Sequence, residues 1–92
     1  IAPMLALIDQ QNFDPKKLEV FKNEFPKFTK GVTCEQVATI LGKFKYGADH
    51  KVILEAAWPL VLDKHNAELM LSKLKFTTDQ DNFRKAWGIV KQ

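Results

Sequence analysis

Apolar residues recur along this chain at the spacing of amphipathic helices. Val37, Ile40, Leu41 and Phe44 stand at i, i+3, i+4 and i+7, and Ala67, Met70, Leu71 and Leu74 repeat that set 30 positions later. Such spacing places all four side chains on one stripe of a 3.6-residue helix. Polar positions repeat with them. Aligning Thr33 to Tyr46 with Asp63 to Phe76 makes Leu41 and Leu71, Lys43 and Lys73, and Lys45 and Lys75 identical. A fainter copy lies upstream at an offset of 33, where Met4, Leu7 and Ile8 take the places of Val37, Ile40 and Leu41 behind Pro3. A proline there suits a first helical turn.

Each stronger copy opens on a helix cap. Thr33 with Gln36 three residues later spells a capping box, and Asp63 with Asn66 occupies the matching place. After each copy comes an aromatic residue and then an acidic cap, in Phe13 and Asp14, Tyr46 and Asp49, and Phe76 and Asp79. A partner helix follows, with stripes Leu18, Phe21 and Phe25, then Val52, Ala56 and Leu60, then Phe83, Trp87 and Val90. Pro59 removes an amide donor inside the fourth helix, which predicts a kink or an end near Trp58 and a short turn leading to Asp63. Pro26 and Gly31 punctuate the longest loop. The pattern predicts an all-α fold of about six short helices in three repeated pairs, forming a compact right-handed helical array. One pair cannot bury its apolar face alone, and stacked pairs make a continuous core.

Composition narrows the class. The chain has 92 residues, 46% of them hydrophobic and 27% charged, which is enough for one core and is not the signature of disorder. Residues 1–92 read as a single helical-repeat domain excised from a longer chain. The apolar run Ile53 to Leu62 is too short for a membrane span of ~20 residues. Cys34 is the sole cysteine, which excludes an internal disulfide, fits a reducing compartment and favours the cytoplasm while leaving secretion open. Net charge is +3, and Arg84 is the lone arginine, so the bias is toward an acidic partner and away from nucleic acid.

Several short motifs resemble a known family. Phe13, Asp14, Lys17 and Leu18 spell F-D-x-x-K-L, and Thr33, Gln36 and Val37 spell T-x-x-Q-V. Phe44, Tyr46 and Lys51 form an aromatic turn, Asp63 and Asn66 a D-x-x-N step, and Lys75, Phe76 and Thr77 a closing K-F-T. This order resembles the small helical domain called domain of unknown function 4476 over nearly the whole chain, departing from it at Gly47 to Val52. The resemblance implies a small helical domain and carries no catalytic residues.

Candidate chemistry is sparse. Cys34 at a helix start has no base beside it, and Glu35 opposes a thiolate, so thiol or redox chemistry is the lesser reading. His50 and His65 lack a second ligand at metal spacing, and no loop has calcium-binding or phosphate-cradling spacing, so no metal and no cofactor are expected. Trp58 and Trp87 read as core residues and, alternatively, as anchors for a partner. Lys43, Lys45, Lys73 and Lys75 fall at the C-terminal ends of the third and fifth helices, where they would form a basic ladder. The functional expectation is a non-catalytic protein-interaction or structural module, packing against an acidic partner or a further copy of itself. An electrostatic binder of an acidic ligand, nucleic acid or an anionic membrane through the lysines is the alternative.

Overall fold

The computed structural model describes residues 2–89. Its α-helices are α1 (Ala2–Asp9), α2 (Asp14–Glu24), α3 (Cys34–Leu41), α4 (Gly47–Ala57), α5 (Glu68–Leu71) and α6 (Thr77–Trp87). Three-residue 3₁₀ turns follow α2 and α4 and precede α5. The described residues contain no β-strand, only one isolated parallel bridge between Val32 and Val61. The fold is all-α, as the hydrophobic pattern predicts.

Helix α3 packs on both α4 and α5 because five of its eight residues form a buried face. Cys34, Val37, Ala38, Ile40 and Leu41 are all buried. Its start is the capping box read from sequence: Thr33 Oγ1 accepts from the Gln36 amide at 3.2 Å, and Gln36 Oε1 accepts from the Thr33 amide at 2.9 Å. Two amides that a helix start leaves bare are thus satisfied. Thr33→Ala is expected to cost about 1 kcal/mol in urea unfolding. An unchanged midpoint would mean that the box contributes nothing.

Around α3 a single apolar cluster gathers Met4 and Ile8 from α1, Phe21 from α2, Ile53 and Leu54 from α4, Met70 and Leu71 from α5, and Phe83 from α6. Phe21 stacks on Phe25 with ring centres 4.8 Å apart. Pro59 ends its helix as expected, and Pro26, expected in the loop, likewise follows the end of a helix. Pro26 and Pro59 each lie within the 3₁₀ turn that succeeds α2 or α4, where a missing amide hydrogen costs least.

Four expectations need correction. The array is not three equal pairs: α1 packs on α2, but α3 packs on both α5 and α4, and α5 is a single turn of four residues. The buried face of α4 is His50, Ile53, Leu54 and Ala57, whereas Val52 is half-buried and Ala56 exposed. In a run apolar almost all round, periodicity leaves the inward stripe open, and contact with α3 selects it. Asp63 makes no side-chain cap on the turn that follows it. Asp14, Asp49 and Asp79 are not caps either, since the N-cap positions of α2, α4 and α6 are held by the aromatic residues before them. Val90 of the predicted sixth stripe lies outside the described residues.

Candidate interaction surface

Phe13, Tyr46 and Phe76 occupy the N-cap positions of three helices that are each 11 residues long. All three have extended backbone and no side-chain cap hydrogen bond, as an aromatic ring dictates. They are also exposed, to 71%, 64% and 64%. A Ser, Thr, Asp or Asn at such a position is worth about 1 kcal/mol over a side chain that cannot accept from the first turn. These aromatics therefore give up both a cap and burial. In the sequence these three residues align only as markers of a turn, because periodicity reports spacing and not exposure.

The helix starts that carry them are adjacent. The Lys45 amide donates to Asp14 Oδ2 at 3.1 Å, joining the chain ahead of α4 to the first turn of α2. Lys51 Nζ lies 3.3 Å from Asp79 Oδ1, joining α4 to the first turn of α6. A side-chain carbon at Gly47 would lie 3.8 Å from Asp79 Oδ2. Asp14 is itself buried and faces Lys17 at 3.7 Å.

The four lysines singled out from sequence meet different fates. Lys43 is half-buried and pairs with Asp9 at 3.0 Å. Lys45, Lys73 and Lys75 are exposed and form no ion pair among the described residues. Lys73 lines a groove of about 390 Å³ between α3 and α5, with Glu35, Ala38, Thr39, Leu69 and Ser72. The expected position at helix C-termini is corrected for two of them. Because α3 and α5 end early, at Leu41 and Leu71, Lys45 and Lys75 immediately precede the N-caps of α4 and α6. The helix dipole there disfavours a cation.

Trp58 and Trp87 come together. Their rings stack with centres 4.0 Å apart and planes within 2° of parallel, both half-buried. Phe83 packs on Trp87 at 5.0 Å, and Lys64 Nζ lies 5.1 Å above the Trp58 ring. The pair ties the end of α4 to the end of α6 and uses one face of each indole within the chain. Arg84 is likewise committed internally: it is buried and bonds Glu68 at 2.7 Å and Asp81 at 2.6 Å. Those carboxylates, Glu68 first, hold the guanidinium charge more firmly than water would.

Asp63 caps a helix other than the one expected. Its Oδ1 accepts from the Cys34 amide of α3 at 2.8 Å, and its Oδ2 accepts from Asn66 Nδ2 at 3.0 Å. These bonds, that from Asn66 foremost, hold the carboxyl below its ordinary 3.8. The stability it lends is full above that value and is lost as pH falls through the depressed one. The Cys34 thiol is wholly buried and donates to the Asp63 carbonyl at 3.1 Å. Burial first, then Asp63, pushes the thiol up from 9.0 to about 12. A neutral, enclosed thiol is a poor nucleophile. Native protein at neutral pH is expected to react with a thiol reagent about a hundredfold or more slowly than urea-unfolded chain, because reaction waits for opening. Equal rates would place the thiol at the surface and revive thiol chemistry.

His50, in the first turns of α4, is buried. Its Nε2 lies 3.0 Å from both the Leu41 and the Phe44 carbonyl oxygens. Carbonyls only accept, so Nε2 carries the proton, and the buried Nδ1 has no partner among the described residues. The bond closes the carbonyl end of α3 from α4. Gln80, 30 residues on, donates likewise to the Leu74 carbonyl at 3.0 Å. His50→Ala is expected to cost roughly 1–3 kcal/mol, as buried carbonyls lose their donor. His50→Gln should recover most of that in the same urea titration. Equal losses for both would show that ring packing, not the bond, matters.

No group of three or more potential metal ligands occurs among the described residues, and no described helix is long and apolar enough to cross a membrane. Neither a curated protein nor a solved structure matches the chain. A family profile does match, over residues 2–87, and its description is Domain of unknown function (DUF4476). The turn motifs at Phe13, Tyr46 and Phe76 all fall within that span, and the chain belongs to this family.

Proposed function

We propose that this chain is a non-catalytic interaction module that binds another protein. One observation carries the reading: Phe13, Tyr46, Leu62, Leu69 and Phe76 are large apolar side chains left half or more exposed. Three of them, Phe13, Tyr46 and Phe76, stand at adjacent helix starts, and neighbouring apolar exposure marks a docking surface more often than it marks an accident of packing. Lys45 and Lys75, each next to one of those aromatics, and Lys73 in the groove beside Leu69 add exposed positive charge, which favours an acidic partner. Lys43, Trp58 and Trp87 contribute less, since each already spends a charge or a ring face inside the chain.

The test places a photoreactive phenylalanine analogue at Phe13 or Leu69, identifies the crosslinked protein from native extract, and rebuilds the complex from pure components. Rebinding that weakens with rising salt, and weakens further when Lys43, Lys45, Lys73 and Lys75 are all changed to Gln, supports the reading. A crosslinked protein that does not rebind at low salt overturns it.

A further inference from the structure

We infer that the edge formed by Phe13, Tyr46 and Phe76 is the docking site, and that its occupant is a linear acidic peptide in which carboxylates alternate with aromatic or aliphatic side chains. This rests on the interaction reading above and names its site and partner. The three rings share an edge because the helix starts behind them are joined through Asp14 and Lys45, and through Lys51 and Asp79.

Local preference is broken in the same way at each start. An exposed aromatic replaces a polar cap three times, and at Tyr46 and Phe76 an unpaired lysine stands where the dipole opposes it. An aspartate in each first turn offsets part of the dipole, but the three starts have no side-chain cap and the Lys45 and Lys75 ammonium groups have no ion pair among the described residues. Departures of this kind concentrate at functional sites. An acidic, partly apolar peptide compensates for all of them. Its apolar side chains cover the rings, and its carboxylates meet Lys45, Lys75 and the uncapped first-turn amides.

A peptide fits better than a uniform polyanion. Asp14 and Asp79 are neutralised by Lys17 and Lys51, but Asp49 has no ion pair among the described residues and stands in the first turn of α4 beside Tyr46. A phosphate backbone or an anionic bilayer would meet that charge, whereas isolated carboxylates can avoid it. The lone arginine, the better phosphate ligand, is buried against Glu68 and Asp81.

The experiment selects random peptides on the immobilised 92-residue protein. Peptides of roughly twelve residues suffice, because at ~3.3 Å per residue they can span its 38 Å long axis. The enriched peptides should be acidic and apolar. They should bind about tenfold or more weakly to the triple variant Phe13→Ser, Tyr46→Ser, Phe76→Ser, whose melting temperature should equal or exceed that of the wild type. The double variant Lys45→Glu, Lys75→Glu should turn selection toward basic peptides. Peptides that bind the triple variant unchanged would sink this site while leaving the interaction reading in place. No enrichment over that variant, together with no crosslinked partner, would end both. Lower melting of the triple variant would show that the rings serve the fold and overturn the inference. So would tighter binding of oligo(dT) or phosphatidylserine vesicles than of any selected peptide.

Discussion

Leu41→Ala and Leu71→Ala will each lower unfolding free energy by roughly 2–5 kcal/mol, the largest effects expected of single changes in this protein. Both side chains are wholly buried in one apolar cluster, on helices α3 and α5 that pack on each other. Truncation removes the transfer energy of the lost carbons and leaves a cavity that neighbours fill only in part. For a chain of this size total stability is about 5–15 kcal/mol, so either change takes a large fraction and the double variant should not hold a cooperative fold. Leu69→Ala, two residues from Leu71 but half exposed, should change stability by no more than about 0.5 kcal/mol. Urea unfolding of the three variants side by side is the check. Equal, small losses would mean that α3 and α5 do not share one core.

Gly31→Ala will be nearly as damaging, through the backbone rather than the core. Gly31 has φ of 96°, in the region that side-chain-bearing residues avoid. A Cβ there would lie 2.6 Å from Leu62 Cδ2 and 2.9 Å from the Leu60 carbonyl oxygen. The leucine tip can move. The carbonyl cannot, because it accepts from the Val32 amide at 2.9 Å, while the Leu62 amide donates back to Val32 at 2.8 Å. That pair of bonds fastens the long loop to the turn after α4. Backbone strain of about 1–3 kcal/mol is therefore expected, with any loosening of the Val32 to Val61 bridge in addition. Gly88→Ala is the control, with φ of 70° but nothing within 4 Å, and it should cost about 1–2 kcal/mol from conformation alone. If Gly31→Ala were the milder of the two, the crowding around Leu62 would not be rigid.

Much of the fold is legible in the order of the amino acids. The stripe Val37, Ile40, Leu41 and Phe44 is buried throughout, the box at Thr33 and Gln36 forms, and Pro59 ends its helix. These succeed because caps, prolines and apolar spacing act within four residues along the chain. The inward face of α4 is not legible, because Val52 and Ala56 satisfy helical spacing as well as Ile53 and Ala57 do. The bond from Asp63 to α3 is equally hidden, since a capping side chain does not reveal whether it serves its own helix or another 29 residues away.

The candidate surface divides along the same line. By itself the sequence determined an all-α chain of short helices, a family, and three aromatic residues recurring ahead of three helices, since each follows from local spacing and composition. Tertiary structure alone decided which of those side chains face water. It committed Lys43 to Asp9, stacked Trp58 on Trp87, buried His50 under two carbonyls, and enclosed Cys34 beneath Asp63. It left Phe13, Tyr46 and Phe76 outside. Exposure and ion pairing depend on residues far apart in the chain meeting in space, and that meeting is set by how the helices share one core, not by the spacing within any of them.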